Sequence, residues 1–337
     1  MLQDTLRTSA PIDLTGPAGG WTDELRSEWG DVLAASIAGP EAWETSPRTG
    51  ARPLRTAFAE YLRAPVDQVA VTTGIRGALP GLLSGARRLV VERPGFRSVR
   101  RLAVESGVET IALTWEEMFD GGHLDDGTVV WLTSPARNPD GRTLTKAEAA
   151  RLDMLSARCR AIVVNQAYLW CAPQAPVPRE AIRIGSLHKL AGGGVHLGWR
   201  ISPGGAGPER PACGGPSTAW QLAWAAFIVA GGLDRLARRA LREPQRRCHE
   251  FVTGLRPPAG VGVSYACGPS LLLEMPASWA EDEAGAAFRA EGLAAGLGAA
   301  FDGPRPSLRL CFTGVTDEQV PSAVAAAGRA LTRLARF

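Results

Sequence analysis

The residues of this 337-residue chain best suited to chemistry lie between positions 185 and 199, Gly-Ser-Leu-His-Lys-Leu-Ala-Gly-Gly-Gly-Val-His-Leu-Gly-Trp. Lys189 stands three residues after Ser186, at the end of an apolar run, and just before Gly192, Gly193 and Gly194. An ammonium at the end of a buried strand is costly to desolvate without a partner. Conversion of the amine to an imine with a cofactor aldehyde removes that cost. The glycines would let backbone approach such a group closely. Taken alone, the segment also fits a solvated loop lysine. His188, directly before it, reads either as a proton relay or as packing.

Such a lysine needs strands that end together. Short runs at 69–73, 89–91, 109–113, 128–133, 161–164 and 182–186 are apolar and β-rich without polar alternation. That is what a parallel sheet buried on both faces requires. Helical segments at 53–62, 98–106 and 146–157 alternate with them, which implies right-handed βαβ units. Gly74-Ile75-Arg76-Gly77-Ala78 reads as a glycine-rich turn opening a helix. A further helix is expected over 21–38. After Pro203 the pattern changes. Loops are expected at 204–208 and 213–216, and helices at 217–229 and 233–255, the second rich in arginine. The tail reads as strand 270–274, helix 281–295, strand 307–312 and helix 317–336, a smaller α+β unit.

Composition narrows the function. The chain is 45% hydrophobic and 21% charged, an ordinary globular balance. Its net charge of +3 is too small to argue for nucleic acid or an anionic membrane. The most apolar stretch, 219–230, is shorter than the roughly 18 residues a membrane span needs. The first residues carry no apolar signal-peptide core. Six cysteines are scattered without a Cys-x-x-Cys, so neither a disulfide framework nor a structural zinc site is expected. Reduced thiols in a cytoplasmic protein are the simpler reading.

The segment around Lys189 resembles the lysine signature of fold-type-I pyridoxal-phosphate (PLP) enzymes, the aminotransferase class I/II family. Other pieces resemble that family in order: Thr49-Gly50 to Leu54-Arg55, the turn at Gly74, Pro94-Gly95-Phe96, Ser134-Pro135 to Asn138-Pro139-Asp140-Gly141, Asn165-Gln166-Ala167-Tyr168, and Leu308-Arg309-Leu310. The resemblance implies the aspartate-aminotransferase fold, an α/β protein with a mostly parallel central sheet. A large cofactor domain would span 45–235, and a small α+β domain would join 1–44 to 236–337. It implies pyridoxal 5′-phosphate as cofactor, an amino acid as substrate, and a homodimer.

Roles carry over residue by residue. Lys189 would hold the cofactor as a Schiff base and move protons at the substrate α-carbon, with Tyr168 and His188 as further catalytic candidates. Gly74, Ile75, Arg76, Ser186 and His196 would meet the phosphate, since a helix N-terminus favours anions. Asn138 and Tyr168 would bond the ring hydroxyl oxygen, Phe96 would stack on the ring, and Asn165 would face the ring nitrogen. Arg309 would clamp a carboxylate with its guanidinium fork. Simpler alternatives remain: Phe96 and Tyr168 as core residues, Arg309 as a surface arginine of an edge strand, Asn138 as a turn former.

Three departures bear on the reaction. Asn165 replaces the family's Asp, which keeps the ring nitrogen protonated. His196 replaces the usual phosphate-binding Arg, and Gly198 follows Lys189 by nine residues, one fewer than the family spacing. Arg76 is available to replace that charge. His188 stands where a small residue is common. No tyrosine precedes Gly50, where many relatives supply one; Thr45 is near that place. The expectation is an aminotransferase-like enzyme of specialised, secondary metabolism. The alternatives are a non-transaminating PLP enzyme (decarboxylase, lyase, racemase or retro-aldol type) and a non-catalytic relative.

Overall fold

Thr22 starts the first long helix because its hydroxyl accepts from the Leu25 N–H, three residues on. The same logic repeats along the chain in this computed structural model, which describes residues 10–16, 19–205, 215–303 and 306–336. Strand β1 (Ile12–Leu14) and helix α1 (Asp23–Ala38) come first. Helix α2 (Arg52–Leu62) buries Leu54, Ala57, Phe58 and Leu62 and leads into β2 (Val69–Thr72). Then follow α3 (Ile75–Leu83), β3 (Arg88–Glu92), α4 (Ser98–Glu105) and β4 (Glu109–Leu113).

Thr114 and Glu117 form a capping box that opens α5 (Trp115–Asp120). Strand β5 (Thr128–Thr133) is wholly buried. Thr145 and Glu148 form a second box that opens α6 (Lys146–Ser156). The central part ends with β6 (Ala161–Asn165), β7 (Ile182–Ser186), the short α7 (His188–Ala191) and β8 (Gly198–Ile201).

Beyond it lie α8 (Thr218–Val229), α9 (Gly232–Ala237) and α10 (Glu243–Gly254). The tail holds β9 (Gly262–Ser264), β10 (Ser270–Glu274), α11 (Glu281–Ala290), β11 (Leu293–Leu297), β12 (Ser307–Cys311) and α12 (Gln319–Leu334).

Seven strands form the larger sheet in the order β2-β8-β7-β6-β5-β3-β4. Strands β4, β3, β5, β6 and β7 are mutually parallel, and β8 runs antiparallel between β7 and β2. The sheet is therefore mostly parallel, as expected. Apolar layers cover both faces: Leu89, Val91, Val129 and Val163 lie in one cluster, and Val90, Val130, Ile162 and Val164 in another. This is the alternation of a doubly covered sheet.

The smaller sheet has the order β1-β11-β12-β10-β9 and packs on α10, α11 and α12 through Phe251, Phe288, Leu308, Leu310 and Phe312. We keep the division into 45–235 and 1–44 with 236–337 as a proposal about folding units. The packing relevant to it is that β1 joins the smaller sheet while α1 lies against α8.

Two expected helices are corrected. The 233–255 helix is interrupted, because Arg238–Arg242 widen to π geometry between α9 and α10. Pro244 carries no N–H and its ring crowds the carbonyl four residues back, so the turn before it must open. The 281–295 helix stops at Ala290, where Gly292 at φ +79° reverses the chain. Residues 293–297 then fill the gap between β1 and β12, so strand pairing overrides their alanine-rich helical preference. Cys213 and the expected loops at 206–208 and 213–214 lie outside the described residues. Among the described residues, no helix is long and apolar enough to cross a membrane.

The abundance of tryptophan is structural here. Trp21, Trp29, Trp220, Trp224 and Phe227 pack ring against ring where α1 meets α8, and Trp170 meets Trp199 edge-on.

Candidate active site

Glu92, Thr133, Asn165 and Ser186 are the last residues of β3, β5, β6 and β7. Those strands are parallel, so their carboxyl ends open on one side, where ligand crevices of such sheets lie. A cleft of 410 Å³ occupies that side. Gly74, Ile75, Arg76, Phe96, Asn138, Asn165, Tyr168, Ser186, His188, Lys189 and His196 all line it. Among the candidates named from sequence, Arg309 alone stands outside the wall.

Lys189 lies in the single turn α7, beyond β7, with Nζ 5.6 Å from the centre of the Tyr168 ring. Tyr168 is 4% exposed yet reaches the cleft, so it is core and site at once. Phe96 is 56% exposed, which rules out a core role.

The glycine turn forms a cup. Gly74 sits at φ +88° just before α3, and Ile75, Arg76 and Gly77 of the first turn, where helix N–H groups have no intrahelical partner, line the cleft. A Cβ on Gly74 would lie 3.2 Å from Ser186 Oγ, and one on Gly77 would lie 1.8 Å from Thr73 Oγ1. The glycines therefore let this turn pack closely against Thr73 and Ser186 at the edge of the cleft. Gly74→Ala is expected to destabilise the fold by about 1–3 kcal/mol, because φ +88° with ψ −177° is a conformation almost confined to glycine. Chemical denaturation would read that loss, and an unchanged midpoint would refute it.

Cations gather beside the cup. Burial, then the charges of Lys189, Arg76 and His196, hold the His188 imidazole below its usual pKa. Ser186 Oγ already donates to the Leu197 carbonyl at 3.3 Å and accepts from His188 N–H at 3.1 Å. His196 adopts φ +41°, which turns it out of the chain direction at the end of the glycine loop.

Asn165 is held at both ends of its amide. Oδ1 accepts from the Ala167 N–H at 3.0 Å, and Nδ2 donates to Thr133 Oγ1 at 3.3 Å. A backbone N–H only donates, so the amide orientation is fixed by its partners.

Asn138 and Arg309 meet across the two sheets: Arg309 Nε donates to Asn138 Oδ1 at 2.7 Å, and Nη1 to the Thr15 carbonyl at 2.8 Å. Arg309 is 7% exposed and β12 is the central strand of its sheet, so the edge-strand reading does not hold. Asn138 likewise does more than form a turn.

Several lining residues had no part in the sequence reading. Glu92, Thr133 and Trp131 are in the wall, as are Arg97, Arg100 and Asp302. Arg97 and Arg100 both pair with Asp302, which joins α4 to the segment before β12. Glu92 had a readable signal, an acid ending an apolar strand just before a proline. Asp302 had none, since the partners lie some 200 residues apart in sequence.

No family model matches the chain, and no curated protein matches it. Solved structures do. The α-aminoadipate aminotransferase LysN of Thermus thermophilus, complexed with N-(5′-phosphopyridoxyl)-L-leucine, is 20% identical, with a TM-score of 0.79 over 97% of this chain and 93% of that chain. The multiple substrate aminotransferase of Thermococcus profundus is 19% identical, at 0.79 over 98% and 93%. The N-succinyldiaminopimelate aminotransferase of Mycobacterium tuberculosis is 19% identical, at 0.75 over 95% and 93%. The chain has the fold of these enzymes, as its sequence motifs led us to expect.

Proposed function

We propose that this chain, built on the fold of those aminotransferases, is a pyridoxal-5′-phosphate-dependent enzyme acting on an amino acid, with aminotransferase-like chemistry. The observation that carries the reading is the convergence of Lys189, Asn138, Asn165 and Tyr168 with the glycine cup of α3 on one cleft. Its volume suits a ligand of cofactor size. When bound, pyridoxal phosphate supplies an aldehyde for an amine and a ring that draws electrons from the substrate α-carbon.

The residues fit that group. The N–H groups of Ile75 and Arg76 at the start of α3 suit a phosphate, with Arg76 adding positive charge, His196 an imidazole and Ser186 a hydroxyl. Asn138 and Tyr168 suit the ring hydroxyl oxygen, and Phe96 offers an exposed face to the ring. Lys189 would hold the aldehyde through its amine and would take and return a proton at the substrate α-carbon. His188, its pKa held below the usual value by partial desolvation and by its cationic neighbours, would accept a proton beside Lys189. Arg309 lies outside the cleft wall with its guanidinium on Asn138 and Thr15, and would meet a substrate carboxylate only through its remaining nitrogen. A homodimer rests on the family resemblance. Cytoplasmic placement is supported by thiols that are free at each described cysteine. Specialised metabolism is supported by the clustering of Asn165, His188 and His196 on the cleft.

One observation favours a second reading, a non-transaminating PLP enzyme. Asn165 is neutral and presents an amide N–H, so the ring draws electrons less strongly than it would beside a carboxylate. Asn165→Asp is expected to lower the native turnover roughly tenfold, equivalent to about 1.4 kcal/mol. A tenfold rise would sink the view that Asn165 is suited to its own reaction. Incubating the PLP-loaded protein with a panel of amino acids separates the two readings. Appearance of the aminated cofactor, pyridoxamine phosphate, supports transamination. Decarboxylated, racemised or cleaved product without it supports the second.

A further inference from the structure

We propose that Asp302 is a positioning residue for Phe96: by gripping Arg97 it holds the Phe96 side chain where it faces the ring of the bound cofactor. The inference rests on the reading of the cleft as a PLP site.

Phe96 stands on the turn between β3 and α4, in the cleft wall, with more than half of its surface open. An exposed ring has little packing of its own, so its direction depends on the residues beside it. Both of its chain neighbours are held by the turn that precedes β12. The Gly95 N–H donates to the Phe301 carbonyl at 2.8 Å. Arg97 donates to Asp302 Oδ1 through Nε at 2.8 Å and through Nη2. Arg100, in the first turn of α4, reaches Asp302 Oδ2 at 2.8 Å. Both carboxylate oxygens are thus engaged by the segment that carries Phe96.

The holding turn is itself well placed. Asp302 adopts φ +53° where the short helical turn 298–301 ends. A non-glycine residue keeps that left-handed conformation where its surroundings hold it. The Phe301 ring is buried and lies 5.4 Å from the Arg309 guanidinium. Residues 301 and 302 therefore join the ring-stacking candidate to the arginine that touches Asn138.

Charge alone predicts the opposite effect on binding. Asp302 is an acid in the wall of a cleft suited to a phosphate, so removing its charge should tighten the binding of any anion. Positioning predicts weaker binding of a ligand that carries a ring, and no weakening for one that lacks it. Asp302→Asn tests this with little change of shape, because asparagine tolerates the left-handed backbone. Asp302→Gly removes the acceptor altogether at an angle glycine adopts freely. Both variants should fold, since partly exposed ion pairs add little stability.

Dissociation constants for pyridoxal 5′-phosphate are measured by titration of the cofactor-free, full-length protein, and those for inorganic phosphate by competition against it. Phe96→Leu is expected to weaken pyridoxal phosphate roughly fivefold to tenfold, the scale of one aromatic pair. Asp302→Asn and Asp302→Gly should each weaken it roughly threefold or more, within the same scale. All three variants should bind inorganic phosphate as tightly as the native protein, or more tightly. The double variant Phe96→Leu, Asp302→Asn should bind pyridoxal phosphate no more weakly than Phe96→Leu alone, because Asp302 acts through Phe96.

If the Asp302 variants bind pyridoxal phosphate as well as the native protein or better, Asp302 serves only the charge of the cleft, and the inference is overturned. Losses that multiply in the double variant, or that fall equally on inorganic phosphate, overturn it as well. If Phe96→Leu changes nothing, Phe96 does not meet the ring, and the inference falls while the PLP reading stands. If the native protein binds no pyridoxal phosphate, the PLP reading itself fails.

Discussion

Lys189→Ala is expected to abolish the visible absorption that the native protein acquires with pyridoxal phosphate and loses on borohydride reduction. Turnover should fall by at least about 10²–10⁴-fold, the usual contribution of a positioned proton carrier. The prediction follows from the position of the residue. Lys189 is half-buried above the Tyr168 ring, in a turn placed by the end of β7, and among the described residues it has no salt bridge. Folding should be little affected, because the side chain opens on the cleft. A folded Lys189→Ala protein that still shows the reducible band would assign the amine to another residue. Native protein that shows no band at saturating PLP would remove the cofactor from the account and leave the third reading, a non-catalytic relative.

Arg137→Met should produce the largest loss of stability, about 3–5 kcal/mol. Arg137 is 4% exposed, donates to Asp140 through Nε at 3.0 Å, and lies 4.9 Å over the Trp115 ring. Its charge also lowers the pKa of Glu92. Methionine fills much of the volume but removes the cation paired with the part-buried Asp140 and felt by the buried Glu92. The loss should depend on pH in a stated direction. The folded-state pKa of Glu92, about 7, lies above the usual carboxylate value, so below it the group is neutral in the native protein and needs no cation. The deficit is therefore largest well above pH 7 and shrinks as pH falls through it. Denaturant titrations on both sides of that value would show it. A loss below about 1 kcal/mol at high pH would mean that desolvation nearly cancels the attraction. Because Arg137 precedes Asn138, the same variant should also weaken the Asn138–Arg309 contact between the sheets.

Much of the scaffold was legible because its signals are local. The strands of the parallel sheet are apolar runs bounded by turns, and α3 announces itself by glycine before a helical segment. The short strands were not legible. Strands β1, β8, β9 and β11 run only three to five residues. Their sequences carry little β signal, and they exist because a neighbouring strand offers unpaired N–H and C=O groups. The segment 293–297 shows this directly: its alanines favour helix, yet a gap between β1 and β12 makes it a strand.

The site divides in the same way. By itself the sequence determined which groups were available: an amine beside glycines, an Asn-Pro-Asp-Gly turn, a neutral amide at 165, a late arginine. Covalent identity and chain order set these, and no folding was needed to read them. Tertiary structure decided what each group faces. It put Arg309 on a central strand with its guanidinium on Asn138, exposed Phe96 to the cleft, and ended β3, β5 and β6 side by side, so that Glu92, Thr133 and Asn165 share hydrogen bonds. A hydrogen bond depends on distance and direction at the scale of an ångström. Residues 92, 133 and 165 reach that scale only when parallel strands bring their ends into register, and sequence separation says nothing of that register.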